Sequence, residues 1–315
     1  MVQPEVHEAE HQIMVSAPAQ RVFDLVADVG AWPRVFPPTV HIEHVERGET
    51  EERISIWATA NGEVKGWTSR RHLDRGGLSV RFRQEVSQPP VASMGGEWVI
   101  EPVGETQSRV RLLHDFRAVG DDPEKVAWIR QAIDRNSDAE LAALRSAAEQ
   151  GNGPDELLLS FADSVRVAGP AKDAYDFVYD AARWKERLPH VSRVVLGEDT
   201  PNVQSLEMDT RAPNGSVHTT MSVRICFPHE KIVYKQLRTP ALLSVHTGQW
   251  TFEEDADGTL ITSAHTVVIA PAAVTTVLGE GKTVADARAF VRDALGRNST
   301  ATMNHAKAHV EAATV

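Results

Sequence analysis

Trp67-Thr68-Ser69-Arg70-Arg71 decides how this chain is read, because it returns 153 positions later as Thr220-Met221-Ser222-Val223-Arg224. If the stretch is a strand, its side chains alternate between two faces. Trp67, Ser69, Arg71 and Leu73 then share one face, and Thr68, Arg70, His72 and Asp74 the other. An arginine on a buried face is rare unless it is paired. Arg71 therefore either meets an acid such as Glu97 or Glu63, or reaches into a cavity that grips an oxygen-rich ligand. In the second copy the opposite parity reads Met221, Val223, Ile225 and Phe227, apolar where the first copy is polar.

Outward from this stretch, the correspondence covers the chain. Pro18, Asp24, Asp28 and Trp32 answer to Pro170, Asp176, Asp180 and Trp184, and Gly96 and Trp98 to Gly248 and Trp250. His114 answers to His265, and Arg135-Asn136-Ser137 to Arg297-Asn298-Ser299, after a longer lead-in. Two copies of so long a period indicate tandem domains and not a solenoid. The expected boundaries are 1–150 and 156–315, with Gly151-Asn152-Gly153-Pro154-Asp155 as a linker on its glycines and proline.

Within each copy the elements follow in a fixed order. Glu5 to Val15 alternates as a strand, and Ser16 and Pro18 suit the start of a helix. Gly30-Ala31-Trp32-Pro33 breaks that helix and leads to a second, short one. Six strands are then predicted between turn signals, at Val40–Arg47, Arg53–Ala60, Val64–Asp74, Leu78–Val86, Met94–Glu101 and Ser108–Val119. A long amphipathic helix from about Asp122 to Gln150 carries Val126, Ile129, Ile133, Leu141 and Leu144. The predicted fold is α+β: two curved, antiparallel, seven-stranded sheets, each wrapped around its closing helix. A cavity between sheet and helix is a natural place for an apolar ligand.

Bulk properties exclude several classes. The net charge of -11 argues against a nucleic-acid partner, which needs a basic surface, and against anionic membranes. With one cysteine, Cys226, no intrachain disulfide or zinc–thiolate cluster can form. Met1 to Glu10 lacks the apolar run of a signal peptide, and nothing is long enough to span a bilayer, so a cytoplasmic location is expected. His7-Glu8-Ala9-Glu10-His11 matches the zinc-protease pattern. That chemistry needs a helix, and here the stretch leads a strand, so no metal site is expected.

Four motifs in order resemble one family. Asp28-Val29-Gly30-Ala31-Trp32-Pro33, Trp67-Thr68-Ser69-Arg70-Arg71, His114-Asp115-Phe116 and Arg135-Asn136-Ser137 look like those of the di-domain aromatase/cyclases of bacterial type II polyketide synthases. These belong to the START/Bet v 1-like helix-grip superfamily. The resemblance implies no cofactor. It implies as substrate a poly-β-ketone on an acyl carrier protein, other synthase subunits as partners, and closure of a carbon-7 to carbon-12 ring. The chain departs from it in having Pro37-Pro38-Thr39 where single-domain relatives often place a tyrosine. The second copy carries Trp184-Lys185 for Trp-Pro, Thr220 for Trp67, and no aspartate after His265.

Such chemistry needs an enolate carbon held against a carbonyl carbon, stabilised oxyanions and moving protons. Arg71 is the expected oxyanion partner, Ser69 a second donor and His114 the proton carrier. Trp32, Trp67 and Trp98 are expected as flat walls, with Asn136 bonding a ketone. Ser222, Arg224, His265 and Asn298 are the second pocket's counterparts. Arg34, Arg70, Arg81 and Arg83 are expected to form a basic patch for an acidic carrier protein. The expected oligomeric state is monomer or homodimer. A helix-grip carrier of lipid or another hydrophobic ligand is the alternative function, because one fold serves both.

Overall fold

Alternation sets the first strand. In the computed structural model, which describes residues 5–150, 156–211 and 215–313, β1 (His7–Val15) turns His7, Ala9, His11 and Ile13 inward and Glu8, Glu10, Gln12 and Met14 to solvent. Helix α1 (Ala19–Ala27) buries Val22, Phe23 and Val26 at helical spacing. The short α2 (Trp32–Val35) follows. The six remaining strands are β2 (Thr39–Arg47), β3 (Glu51–Ala60), β4 (Glu63–Asp74), β5 (Ser79–Val86), β6 (Val91–Pro102) and β7 (Ser108–Ala118). They pair in the order β1-β7-β6-β5-β4-β3-β2, antiparallel throughout.

The closing helix α3 (Pro123–Glu149) starts where the sequence indicates. Asp122 accepts a hydrogen bond from the Glu124 N–H at 2.9 Å, with proline in the first turn. One end of its inner face, Leu141, Leu144 and Ala148, packs into the main core with Val22, Phe23 and Val110. The other end, Ile129 and Ile133, packs with Phe116 and Ala118.

The second unit repeats this plan with β8 (Leu158–Val167), α4 (Ala171–Tyr179), α5 (Trp184–Arg187), β9 (Val191–Thr200), β10 (Val203–Arg211), β11 (Val217–Phe227), β12 (Lys231–Arg238), β13 (Leu243–Asp255) and β14 (Gly258–Ile269). The order is β8-β14-β13-β12-β11-β10-β9. An added helix, α6 (Val274–Leu278), precedes the closing α7 (Val284–Ala313). That insertion is the longer lead-in seen in the sequence. Contacts divide the chain into units 1–151 and 152–315; the expected linker 151–155 lies outside the described residues. No helix among the described residues is long and apolar enough to cross a membrane.

The deciding strand has the expected parity. Ser69, Arg71 and Leu73 are buried, whereas Arg70 and His72 are exposed. In β11 both parities are covered: Arg224 is buried on one face and Val223 and Ile225 on the other, each 2% exposed.

The outer face of the first sheet corrects the expected basic patch. Arg70 donates to Glu85 at 3.0 Å, Arg81 to Glu97 at 3.3 Å, and Arg83 to both oxygens of Asp115 at 2.5 and 2.8 Å. Cross-strand pairs of opposite charge are favourable neighbours, and here they neutralise three of the four arginines. Exposed pairs of this kind contribute little to stability, because solvent screens them. Arg81→Ala with Arg83→Ala is therefore expected to leave thermal stability nearly unchanged in melting experiments, and a melting temperature lowered by several degrees would contradict that reading.

Candidate active site

A cavity opens in the first domain between the concave sheet and α3. Trp32, Trp67 and Trp128 supply aromatic wall, and His114, Asn136, Ser137 and Glu140 line the same space. Asn136 and Glu140 follow Ile129 and Ile133 along one helical stripe, so the helix presents apolar and then polar groups to the cavity. The cavity measures about 140 Å³. A void of about 150 Å³ accepts a benzene-sized molecule, so the space is matched to one six-membered ring.

Two titratable groups in it are pushed in opposite directions. Burial holds the His114 imidazole down at about 4, with nearby His11 adding to the effect and Asp115 opposing it. Burial alone pushes the Glu140 carboxyl up to about 8. At neutral pH His114 is thus a neutral imidazole and Glu140 a neutral acid. His114 Nδ1 and Ser137 Oγ are buried without a hydrogen-bond partner, and Asn136 Nδ2 donates to the Thr59 carbonyl at 2.9 Å. Phe82 meets the His114 ring edge-on at 5.6 Å. Gly96 permits that contact: a Cβ there would lie 1.9 Å from the Leu113 oxygen and 2.7 Å from the Phe82 ring.

Other expected site residues lie elsewhere. Arg71 points inward but is not on this cavity's wall. Its guanidinium donates to the Val26 carbonyl at 2.7 Å and the Ala27 carbonyl at 3.4 Å, makes a short contact with Glu52, and stacks on Trp32 at 4.9 Å. These carbonyls end α1 and have no partner within the helix, so a buried guanidinium is the natural cap. Burial lowers its pKa to about 10, opposed by Glu52. The partner is thus Glu52 and neither Glu97 nor Glu63. Ser69 Oγ donates to the Arg83 carbonyl at 3.1 Å, and Trp98 stacks on Phe36 at 5.9 Å within the core. Sequence reasoning missed Glu140, Ser137 and Trp128. A signal for Glu140 was present: an acid seven residues after Ile133 and four after Asn136 interrupts the apolar stripe.

In the second copy the counterpart residues meet different partners. Arg224 repeats the cap, donating to the carbonyls of Val178 at 2.7 Å and Tyr179 at 3.4 Å and stacking on Trp184. Gln204 stands where the first copy has Glu52. Ser222 Oγ turns to the Leu206 carbonyl. His265 Nδ1 lies 3.0 Å from both the Tyr234 hydroxyl and His246 Nε2, and its Nε2 faces Ser263 at 3.3 Å and Ser299 at 3.4 Å. Tyr234 and His246 stand where the first copy has Phe82 and Met94, and Thr302 replaces Glu140, bonding the Asn298 carbonyl at 2.9 Å. Asn298 itself is half-buried. The histidine left unpartnered in the first domain is saturated in the second.

This cluster makes the second domain sensitive to acid. Burial lowers His265 to about 4, and burial with His265 beside it lowers His246 to about 3. Between those values and about 6.5 the unfolded chain binds protons that the folded cluster refuses. Stability is therefore full above about pH 6.5 and falls as the pH drops through it, by about 3 kcal/mol for His265 alone. Melting curves at pH 7 and pH 5, with exchange at the β13 and β14 amides marking the second domain, are expected to show this loss. His246→Met should lessen it by the share of His246 and leave that of His265; an unchanged pH dependence would contradict the assignment.

Comparison with known proteins follows the same division. Residues 6–149 and 167–297 each match a family model described as polyketide cyclase / dehydrase and lipid transport. The chain is 49% identical to the granaticin polyketide synthase bifunctional cyclase/dehydratase of Streptomyces violaceoruber, over 96% of this chain and 94% of that one. It is 48% identical to the actinorhodin polyketide synthase bifunctional cyclase/dehydratase of Streptomyces coelicolor, over 98% of each. The crystal structure of the di-domain ARO/CYC BexL, from the BE-7585A biosynthetic pathway, superimposes with a TM-score of 0.84 at 59% identity, covering 97% of this chain and 99% of that one. The chain belongs to the polyketide cyclase / dehydrase and lipid transport family, in its two-domain form. It is an enzyme of the cyclase/dehydratase kind.

Proposed function

We propose that the first domain closes the first ring of a poly-β-ketone, between carbons 7 and 12, and aromatises it by loss of water. The substrate is a chain carried on an acyl carrier protein in the cytoplasm, alongside the other subunits of a type II polyketide synthase. The observation that carries this reading is the pairing of a neutral imidazole, His114, with a neutral carboxylic acid, Glu140, in a cavity sized for one ring. Groups whose surroundings drive their pKa values apart are suited to acid and base roles.

Ring closure then runs as follows. A methylene between two ketones is acidic enough for a neutral imidazole to remove its proton. His114 takes that proton, and the enolate carbon attacks the carbonyl five carbons along, closing a six-membered ring. Glu140 gives its proton to the alkoxide that forms. For dehydration a base again removes a proton beside the new alcohol, and the hydroxyl leaves as water with a proton from an acid. No electrons are exchanged with a cofactor. Asn136 and Ser137 hold ketone oxygens, and Trp32, Trp67 and Trp128 flatten the folded chain between them. Arg71 acts at one remove, fixing Trp32 and the end of α1.

Reconstitution with a minimal polyketide synthase tests the proposal. Carbon-7 to carbon-12 aromatic products should replace shunt products when the protein is added. Unchanged products, together with binding of fatty acids at stoichiometric amounts, would favour a lipid carrier.

A further inference from the structure

The His-Glu-x-x-His stretch, set aside as a metal motif, has another arrangement on the strand. Its two histidines share the inner face of β1, with Ala9 between them, while Glu8 and Glu10 face solvent. Ala9 pairs with His114 and His11 with Leu112, so His11 and His114 are diagonal neighbours on one face of adjacent strands. Such diagonals bring long side chains within reach, at about 7–8 Å between backbones. His11 Nδ1 and His114 Nδ1 are both buried without a hydrogen-bond partner. On its other side His11 Nε2 lies 3.1 Å from Asp134 Oδ1, a carboxylate on α3 with about half its side chain in solvent.

We propose that Asp134, His11 and His114 form a proton relay between bulk solvent and the cavity, with one water bridging the two Nδ1 atoms. The inference rests on the function proposed above. After His114 has taken a proton from carbon, its charge sits in a buried site that disfavours it. The proton leaves His114 at Nδ1 for the bridging water, which passes one of its own to His11 Nδ1. His11 releases its Nε2 proton to Asp134, and from there to bulk water. His114 and His11 have then both switched tautomers, and both return to their starting tautomers by proton exchange with solvent when product leaves, as Glu140 regains its proton. No electrons move.

The surrounding groups are compatible with this route. Arg130, on the same helix, is turned to the Glu8 carbonyl and the Phe116 ring, and His7 lies tilted against Phe116 at 5.3 Å. Asp115 is next to His114 in sequence but is taken up by Arg83, and Glu140 and Asn136 line the cavity with His114. The second copy lacks the relay. Asp163 replaces His11 and pairs with Arg292 at 2.7 Å, Gly296 replaces Asp134, and His265 is hydrogen-bonded on both nitrogens. Relay and free histidine therefore occur in the same domain.

The test uses the full-length protein in the reconstituted system, with His11→Ala and Asp134→Asn. A relay predicts that His11→Ala lowers kcat by about tenfold or more with KM unchanged. It also predicts that added imidazole restores the rate, as a merely structural histidine would not allow. Asp134→Asn, at a half-exposed position that tolerates substitution, should shift the pH–rate profile and enlarge the solvent isotope effect at an unchanged melting temperature. Should His11→Ala fail to fold, Asp134→Asn and His11→Asn carry the same measurements. Wild-type kcat, pH profile and isotope effect in these variants, while His114→Asn is inactive, would overturn the relay and leave the proposed function standing. A wild-type protein that forms no aromatic product overturns both.

Discussion

Substituting His114 by asparagine, or Glu140 by glutamine, is expected to slow ring closure by about 10²- to 10⁴-fold, the usual contribution of a positioned acid or base. Both changes nearly conserve volume, so the cavity should persist. Glutamine can still donate a hydrogen bond but cannot give up a proton to an alkoxide. Asparagine cannot serve as a base at any accessible pH. The wild-type rate should follow a bell in pH whose limbs come from these groups. It falls as the pH rises through about 8, where Glu140 ionises, and as it drops through about 4, where His114 becomes charged. Glu140→Gln should remove the alkaline limb, and His114→Asn should remove the acid limb of the residual rate. Steady-state rates across that range check this, with product identity established by mass spectrometry. Full activity in Glu140→Gln would remove the acid from the mechanism.

Arg71→Ala is expected to act on stability first. Arg71 is 1% exposed and Glu52 7% exposed, so the substitution leaves a carboxylate buried with only His44, at 3.1 Å, beside it. It also removes the guanidinium donor from the Ala27 carbonyl and one of two donors from the Val26 carbonyl, which keeps the Trp32 indole N–H at 3.2 Å. Breaking one side of a buried ion pair costs about 3–5 kcal/mol. A first-domain melting transition lowered accordingly is the expected result, followed by hydrogen exchange at the α1 amides. Arg71→Met with Glu52→Leu should recover much of the loss, because an apolar pair of similar volume is often neutral or stabilising. A variant with wild-type melting but shunt products would return Arg71 to the oxyanion role that its sequence position suggests.

The contrast between Arg71 and Glu140 marks how far the sequence could be read. Strand parity placed Arg71 on the inner face correctly, because alternation is a local property of an extended backbone. Parity does not say which inward group meets the ligand and which meets another part of the chain. Arg71 finds the end of α1, forty-five residues away in sequence, and no pattern in its neighbourhood reports that contact. Glu140 was passed over for a related reason. An acid on an amphipathic helix usually faces water, and its raised pKa comes from the sheet closed over it.

The duplication poses the same problem twice. Corresponding residues could be matched by offset alone, and the match rightly gave two sheets with two closing helices. Whether the histidine of each domain stays free depends on what surrounds it. Phe82 and Met94 leave His114 free, whereas Tyr234 and His246 reach His265 and close hydrogen bonds onto it. Sequence by itself determined the tandem architecture, the strand faces, the closing helix and the family, because periodicity, turn chemistry and motif order are written along the chain. Only the tertiary structure decided which polar groups remain unpartnered in a cavity and which are consumed as caps and ion pairs, because desolvation and hydrogen-bond satisfaction depend on residues that meet only when the sheet closes over its helix.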